Sequence, residues 1–164
     1  MPSTKKEIFC SEVDRFAKEL YNAAFCVLKN DADSQDAVQN TLMLAYEHLN
    51  CLRNTDKLRP WLMRILLNEC YKIIRQHKRN ESVDIDSVEI PEIQDFHDCD
   101  DSGILRLVRS LRVNYRDVII LYYYEGMSVK EISAALDITE ANVKKRLSRG
   151  RNKLRALIAG EHFP

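Results

Sequence analysis

The sequence is poor in the residues that form tight turns. It contains only four glycines and four prolines among its 164 residues. An all-β fold needs turn residues at intervals of about ten positions, so this composition argues against one. The chain is also too short for architectures of more than roughly 200 residues. Combined with long amphipathic segments, these absences predict a small all-α protein.

Long apolar runs and paired cysteines are also missing. The longest apolar run, residues 118–124, is much too short to cross a bilayer, and the N-terminus lacks the apolar centre of a signal peptide. We therefore expect a cytoplasmic protein with no membrane insertion. The five cysteines are widely spaced, without a CxxC motif or a zinc-finger pattern, which indicates reduced thiols. They are Cys10, Cys26, Cys51, Cys70 and Cys99.

The net charge of the chain is zero, with 25 basic and 25 acidic residues, but the two kinds of charge cluster in different parts of the sequence. Residues 53–79 hold eight Lys or Arg against two acids, and residues 144–155 hold seven with no acid. Between them, residues 81–101 hold nine acids and no Lys or Arg. Two basic blocks therefore flank an acidic one. Because each basic block is a candidate surface for nucleic acid, the zero net charge of the chain does not exclude a nucleic-acid partner.

Hydrophobic periodicity predicts three N-terminal helices, over about residues 7–29, 34–50 and 60–79. The polar stretch 30–33 is expected to end the first helix, and residues 51–59 are expected to form a loop before Pro60. Residues 80–103 have no sustained period and predict a flexible acidic linker. The chain then divides into an N-terminal helical domain, residues 1–79, this linker, and a C-terminal domain, residues 104–164.

The second and third helices each have two different faces. The second carries an apolar side through Val38, Ala45 and Leu49. The third carries an inward stripe that includes Trp61, which we interpret as a core residue. Its other face, with the preceding loop, mixes cations, amides and an aromatic ring, which suits single-stranded or distorted nucleic acid, although a solvated helix is the alternative. These residues are Arg53, Asn54, Lys57, Arg59, Arg64, Asn68, Tyr71, Arg75 and Lys78.

The C-terminal domain is predicted to contain four helices. Two short ones are separated near residues 113–114, and a third begins after Gly126, where Ser128 and Glu131 form a capping-box pattern. Thr139 is expected to cap a fourth helix that runs to about residue 158. Its inward residues are expected to be Val143, Leu147, Gly150, Leu154 and Leu157.

The last two helices form a helix-turn-helix pattern, whose second helix is rich in Lys and Arg. Such a helix fits the DNA major groove, where side chains near its start contact bases. We expect Asn142, Lys145 and Arg146 to contact bases. Lys144, Arg149 and Lys153 are expected to contact phosphates, with Thr139 at the start of the helix. A solvated basic helix is the alternative, but seven cations without an acid repel one another unless a polyanion is bound.

The order of these motifs resembles the extracytoplasmic-function, or group 4, sigma factors of bacterial RNA polymerase. Residues 33–41, DSQDAVQNT, are similar to the family's core-binding motif DAEDLVQET. Residues 59–65, RPWLMRI, with Asn68 resemble its F-R-x-W-L-x-R-I-x-x-N motif. Residues 129–136 and 143–154 resemble its terminal helix-turn-helix, with Asp137 at a turn position where the family usually has glycine. Aspartate tolerates the left-handed backbone conformation better than most residues.

The resemblance implies an alternative sigma factor that binds core RNA polymerase and directs promoter recognition and transcription initiation. It places the third helix and its loop on the minus-ten element, holding an extruded base, and the last helix on the minus-thirty-five element. It also implies an anti-sigma factor as a partner. The second helix would bind core polymerase, unless its polar face is only solvated, through Asp36, Gln39, Asn40, Met43 and Glu47. The acidic linker would either mimic RNA in the polymerase or serve as a solvating tether.

Two other functions remain open at this point. A stand-alone helix-turn-helix regulator would bind an operator as a dimer without polymerase. A nucleic-acid-processing enzyme would need acid clusters, and the sequence has no catalytic constellation, phosphate loop or nucleophile elbow. We therefore expect no enzymatic activity, no small-molecule substrate and no cofactor. No metal is expected either, because His97 and Cys99 lie in the linker without a second ligand cluster.

Overall fold

A computed structural model describes residues 4–80 and 103–161 of the chain. Over these ranges the chain forms helices and turns and contains no strand, arranged as two helical domains. This confirms the predicted all-α fold class. The predicted linker, with His97 and Cys99, lies outside the described residues apart from its two ends. None of the described helices is long and apolar enough to cross a membrane.

Three helices form the N-terminal domain: α1 (Lys5–Leu28), α2 (Asp31–Glu47) and α3 (Leu58–Asn80). Helix α2 ends at Glu47, earlier than predicted, and a single 3₁₀ turn, Leu49–Cys51, follows it; a second turn, Thr55–Lys57, lies in the segment expected to be a loop. Helix α1 ends just before the polar stretch 30–33, as expected, but residues 31–33 already belong to α2, which was predicted to begin at Ser34. Lys29 closes α1 in a left-handed conformation (φ 55°), and the Asn30 side chain accepts a hydrogen bond from the Asp33 amide to begin α2. Asparagine is a strong N-cap residue, so this polar stretch starts a helix.

The core of this domain lies between the three helices. Leu20, Ala24, Ala37, Leu62 and Leu66 are almost completely buried there. Burying each large aliphatic side chain contributes about 1.5–3 kcal/mol to folding. The packing of these side chains between the three helices is therefore the main source of the domain's stability. The small residues on α1 and α2 allow the helices to approach closely.

Four helices form the C-terminal domain: α4 (Gly103–Ser110), α5 (Val113–Ile119), α6 (Val129–Leu136) and α7 (Glu140–Glu161). The predicted break between the first two lies at residues 111–112 instead of 113–114, and α5 continues into a π-helical turn, Ile120–Tyr124. The capping box of Ser128 and Glu131 is present. Asp137 has the expected left-handed conformation (φ 55°), and the Thr139 hydroxyl accepts a hydrogen bond from the Asn142 amide (3.2 Å).

Helix α7 is held against α5 and α6 by its apolar face. Val143, Leu147 and Gly150 are buried as predicted, whereas Leu157 is 38% exposed, so its assignment to the inward face was wrong. Leu157 lies in the last turns of α7, which extend beyond the helices on which α7 packs. A Cβ added at Gly150 would lie 3.2 Å from Ile119 Cγ1. The missing side chain therefore allows α7 to approach α5 closely.

The two domains pack against each other. Helix α3 contacts α6, and α1 contacts both α4 and the π-helical turn. The Arg109 Nε donates a hydrogen bond to the Cys26 carbonyl (3.2 Å), which joins α4 to the end of α1. We call this packing the closed arrangement.

Candidate functional site

The polar face of α2 is exposed along its length and defines a surface that we call the outer face of α2. Met43 is 63% exposed on this face, although methionine is usually buried. The opposite side of the helix buries Val38, Thr41 and Ala45. All five residues predicted to bind core polymerase are therefore on the surface, and none is needed for the core. They are Asp36, Gln39, Asn40, Met43 and Glu47.

The predicted DNA-contacting residues of α7 all lie outside its buried face. Lys144, Lys145 and Arg149 are exposed, whereas Asn142 and Arg146 are half-buried. The capped start of α7 presents Thr139 and Asn142 at the end that a recognition helix directs to base edges. The structure thus brings the predicted base-contacting residues together with Arg149 on one helix face, whereas Lys144, two residues after Asn142, lies on another side of the helix.

Lys153 extends this basic surface along α7. Its ammonium group lies 5.4 Å from the centre of the Tyr115 ring, within the range of a cation–π interaction. Lys153 is exposed and remains accessible to a phosphate. Its position two turns beyond Arg146 keeps it away from the start of the helix, which agrees with a phosphate contact.

The residues predicted to bind the minus-ten element lie along one side of α3 and in the segment before it, which together we call the outer side of α3. Arg53, Asn54 and Lys57 are exposed in the segment before α3, and the Asn54 side chain also caps the second 3₁₀ turn. Along the helix, Asn68 and Arg75 are exposed and Lys78 is half-buried. Arg59, Arg64 and Tyr71 also lie on this side, but they contact the C-terminal domain.

An open pocket lies beside this surface, between the end of α2 and the middle of α3. Its volume is about 310 Å³. Trp61 lines it and is only partly buried, so its assignment to the core was incomplete. Trp61 packs against the core from the side that also faces the pocket. The lining residues are Leu44, His48, Cys51, Trp61, Ile65, Asn68 and Glu69.

Glu69 is the residue of this pocket that the sequence pattern does not single out. It is buried, with 8% of its surface exposed, and among residues 4–80 and 103–161 no hydrogen bond or ion pair engages its carboxylate. Its carboxylate oxygens are not among the side-chain atoms that the described part of the chain buries without a partner, so they reach solvent through the open pocket. The only sequence signal was an acid within a basic helix.

Three side chains of the outer side of α3 contact the C-terminal domain in the closed arrangement. Arg59 donates hydrogen bonds to Glu19 in α1 (Nε to Oε2, 2.8 Å) and to the Glu125 carbonyl (2.5 Å), and its Nη1 lies 3.6 Å from Glu131 Oε1. Arg64 Nη2 lies 3.5 Å from the Asp137 carboxylate. These contacts place α3 cations against the turns that flank α6.

Tyr71 makes the third contact, by donating a hydrogen bond from its hydroxyl to the buried carboxylate of Asp117. Arg116 Nε also donates to Asp117 (3.3 Å), and within the described part of the chain Arg116 Nη2 has no hydrogen-bond partner. Burial raises the pKa of Asp117 to about 7, against the lowering effect of Arg146, and burial lowers the pKa of Arg116. The contact between the domains therefore includes groups that are costly to keep charged.

Two further groups near this contact have raised pKa values. Burial, reinforced by Glu19, raises the pKa of Glu125 to about 7, while Arg59 acts in the opposite direction. Burial also raises the pKa of the Cys26 thiol to about 11, with Glu125 adding to the effect and Arg109 opposing it. Both charged groups that act on Cys26 belong to the C-terminal domain, so this thiol lies at the domain contact. It remains protonated at neutral pH and is a poor nucleophile there.

Two family models match the two domains. Residues 13–80 match sigma-70 region 2, and residues 102–154 match sigma-70 region 4. Together they cover most of the chain, in the order and at the positions of the helical domains described above. The chain belongs to the sigma-70 family of RNA polymerase sigma factors.

Individual relatives agree with this assignment. The chain is 28% identical over 151 residues to the ECF RNA polymerase sigma factor SigM of Bacillus subtilis (strain 168), covering 87% of this chain and 90% of that protein. It is 30% identical over 156 residues to the RNA polymerase sigma factor NccH of Alcaligenes xylosoxydans xylosoxydans, covering 89% and 84%. The sigma factor RpoE of Bartonella quintana, solved in complex with the anti-sigma factor NepR, superimposes with a TM-score of 0.73 at 28% identity, covering 93% of this chain and 98% of that one.

These similarities place the protein among the alternative, extracytoplasmic-function sigma factors. Its partners are core RNA polymerase and promoter DNA, and its function is to direct promoter recognition in transcription initiation. Its family consists of transcription factors rather than enzymes.

Proposed function

We propose that the two domains divide the work of promoter recognition. Residues 1–79 bind core RNA polymerase and the minus-ten element, and residues 104–164 bind the minus-thirty-five element. The observation that carries this proposal is the outer side of α3, where exposed cations and amides lie next to an open pocket. Cations attract the DNA backbone, and the pocket can receive a base that has left the helical stack.

The outer face of α2 supports a role in polymerase binding. It combines Asp36 and Glu47 with the exposed apolar side chain of Met43, and it makes no contribution to the core. Methionine is adaptable and common at binding surfaces, and carboxylates around it favour a basic partner surface. We propose that this face binds the largest subunit of core polymerase.

The α7 surface supports recognition of the duplex minus-thirty-five element. Asn142, Lys145 and Arg146 lie near the capped start of the helix and would contact bases, whereas Arg149 and Lys153 would contact phosphates. Helix α6 would cross the backbone, as the first helix of a helix-turn-helix motif does.

In the closed arrangement, the minus-ten surface is only partly available. Arg59, Arg64 and Tyr71 are engaged with Glu125, Asp137 and Asp117 of the C-terminal domain. We propose that promoter binding requires the C-terminal domain to release α3. The isolated chain would then bind promoter DNA weakly, and core polymerase would favour the open form by binding both domains at separate places.

Three further elements of the proposal come from the relatives. The similar Bartonella quintana protein was solved with an anti-sigma factor, and we propose that this chain is also controlled by one. It would act in the cytoplasm, where core polymerase and the promoter are found. It would catalyse no reaction itself and would contribute only binding energy to promoter opening.

A double substitution on the outer face of α2 tests the proposal. Asp36→Arg with Met43→Glu should leave the melting temperature nearly unchanged, because both residues are exposed. It should abolish binding to core polymerase and promoter-dependent transcription, because charge reversal at an interface costs several kcal/mol. Asp14→Arg, at an exposed position on α1, is the control and should bind normally. Unchanged affinity of the double variant would remove α2 from the interface, and a lower melting temperature would show that its buried face was assigned wrongly.

A further inference from the structure

A long-range hydrogen bond ties the segment before α3 to the start of α1. Lys5 Nζ donates this bond to the Leu52 carbonyl (2.5 Å), across 47 positions of the chain. Leu52 is buried, and the residues that follow it, Arg53 and Asn54, are exposed members of the outer side of α3. The bond therefore fixes the backbone at the point where the residues proposed to bind the minus-ten element begin.

The other contacts of this segment do not orient it in the same way. The Leu52 amide donates to the Leu49 carbonyl (3.2 Å), and the Lys57 amide donates to the Asn54 carbonyl (3.1 Å), so these bonds only close the two 3₁₀ turns locally. Leu49 and Leu52 are buried, but apolar burial is not directional. The bond from Lys5 adds a directional contact with another helix.

Lys5 itself has a fixed place at the first position of α1. The Thr4 hydroxyl accepts a hydrogen bond from the Glu7 amide (3.3 Å), and the Glu7 carboxylate accepts one from the Thr4 amide (3.0 Å). This capping box defines the start of the helix. A cation at this end faces the positive end of the helix dipole, which is unfavourable. The carbonyl oxygen of Leu52 offsets this cost for the half-buried Lys5.

We propose that Lys5 is a positioning residue for minus-ten recognition, because its bond to the Leu52 carbonyl holds Arg53, Asn54 and Lys57 in place to meet the DNA together. This inference rests on the proposed binding of the minus-ten element by the outer side of α3. Lys5 acts through the backbone of the segment. Ordering the segment before DNA arrives reduces the entropy that binding would otherwise cost.

The neighbouring lysine provides a matched control. Lys6 is exposed, and its ammonium group lies 5.3 Å from the centre of the Tyr46 ring in α2. Lys5→Met and Lys6→Met each remove one cation from the first turn of α1, but only Lys5→Met removes the bond to Leu52. Lys5→Arg keeps a charged donor on a long side chain and should restore the bond.

Promoter opening by the reconstituted holoenzyme tests this inference. The full chain, with bacterial core polymerase, is assayed on a promoter that the wild-type holoenzyme selects from a random library, and permanganate reactivity of minus-ten thymines measures opening. Lys5→Met should reduce opening about tenfold, as expected for the loss of one charge-assisted hydrogen bond. Lys6→Met should open the promoter as wild type does, and Lys5→Arg should recover most of the activity.

Two further measurements distinguish positioning from a general loss of stability. In Lys5→Met, amide hydrogen exchange should be faster at residues 52–57 and unchanged in the middle of α3. Base preferences across a randomised minus-ten region should become weaker, whereas affinity for core polymerase and for a duplex with only the minus-thirty-five element should stay the same. Lys5→Gln, which keeps a polar side chain at this half-buried position, carries the test if Lys5→Met does not fold.

Wild-type opening by the folded Lys5 variants, or faster exchange spread over the whole chain, would refute positioning by Lys5. The double variant Arg53→Ala with Lys57→Ala tests the proposed function separately, because it removes proposed DNA contacts and leaves the Lys5 bond in place. If this double variant weakens opening and Lys5→Met does not, only the positioning role fails. If the double variant opens the promoter as wild type does, the proposed binding of the minus-ten element by this segment fails.

Discussion

Arg59 makes contacts that hold the closed arrangement together, and substituting it should measurably change how often the domains separate. Its bond to Glu19 stays within the N-terminal domain, because α1 and α3 both belong to it. The bonds that cross to the C-terminal domain go to the Glu125 carbonyl (2.5 Å) and to the Glu131 carboxylate (3.6 Å). Arg59→Ala removes both crossing contacts and leaves the cores of the two domains intact.

The size of the effect follows from the nature of these two contacts. The hydrogen bond from a charged guanidinium to a carbonyl contributes about 1.5–3 kcal/mol. The longer ion pair to Glu131, whose side chain is 34% exposed, adds only a few tenths of a kcal/mol. A loss of about 2 kcal/mol would raise the ratio of open to closed molecules by roughly 30-fold.

The Cys26 thiol reports this opening directly. It is buried against the C-terminal domain and reacts with an alkylating reagent only when the domains separate, so its rate is proportional to the open fraction. Peptide mass spectrometry follows Cys26 separately from the other cysteines. At fixed pH, Arg59→Ala should accelerate its alkylation by roughly 30-fold, whereas Arg53→Ala, an exposed arginine of the same segment, should not. Equal rates in folded Arg59→Ala and wild type would show that this arginine does not hold the domains together.

Three further predictions concern the C-terminal domain. Gly150→Val should lower the free energy of unfolding by about 2 kcal/mol in a denaturant titration, because a Cβ there meets Ile119, while Gly160→Val, with open space around it, should have a much smaller effect. Because burial raises the pKa of Asp117 to about 7, the closed arrangement should lose stability as pH rises from about 4 to 7. Small-angle scattering should accordingly show a more expanded chain at high pH, and Asp117→Asn should reduce this change. In holoenzyme binding assays, Arg146→Ala should cost about 1–3 kcal/mol and relax base preference at one minus-thirty-five position, whereas Lys153→Ala should weaken all sequences evenly.

Local patterns in the sequence predicted most of the helices. Hydrophobic spacing gave α1 and α3 to within two residues at each end, and the Ser128 capping box gave the start of α6. Asn30 was misinterpreted because a polar stretch between two apolar segments can either end one helix or begin the next. Leu157 was misassigned because helical periodicity continues past the point where α7 has a neighbour.

The packing of the domains could not be predicted in the same way. Arg59 binds oxygens from α1, from the end of the π-helical turn and from α6, and these are separated by up to 112 positions in the chain. No spacing rule joins them. The pocket was hidden for a similar reason, since Trp61 and Glu69 become its walls only when α2 packs beside α3. Hydrophobic periodicity assigns a residue to the inside or the outside and has no category for a residue that lines a cavity.

Under the proposed binding of the minus-ten element by α3, the closed arrangement and the promoter would compete for the same side chains, and the strengths of the contacts would decide which prevails. Arg64 meets Asp137 at 3.5 Å with both side chains well exposed, so this pair contributes little and a DNA phosphate can replace Asp137 at small cost. The Tyr71 contact with the buried Asp117 is partly shielded from solvent and harder to replace. Among these polar contacts, opening therefore depends mainly on Tyr71 and Arg59, and a partner that binds both domains apart must also separate the apolar side chains that pack between the domains. Under the proposed mechanism, this balance would keep the free chain closed until core polymerase binds the two domains at separate places.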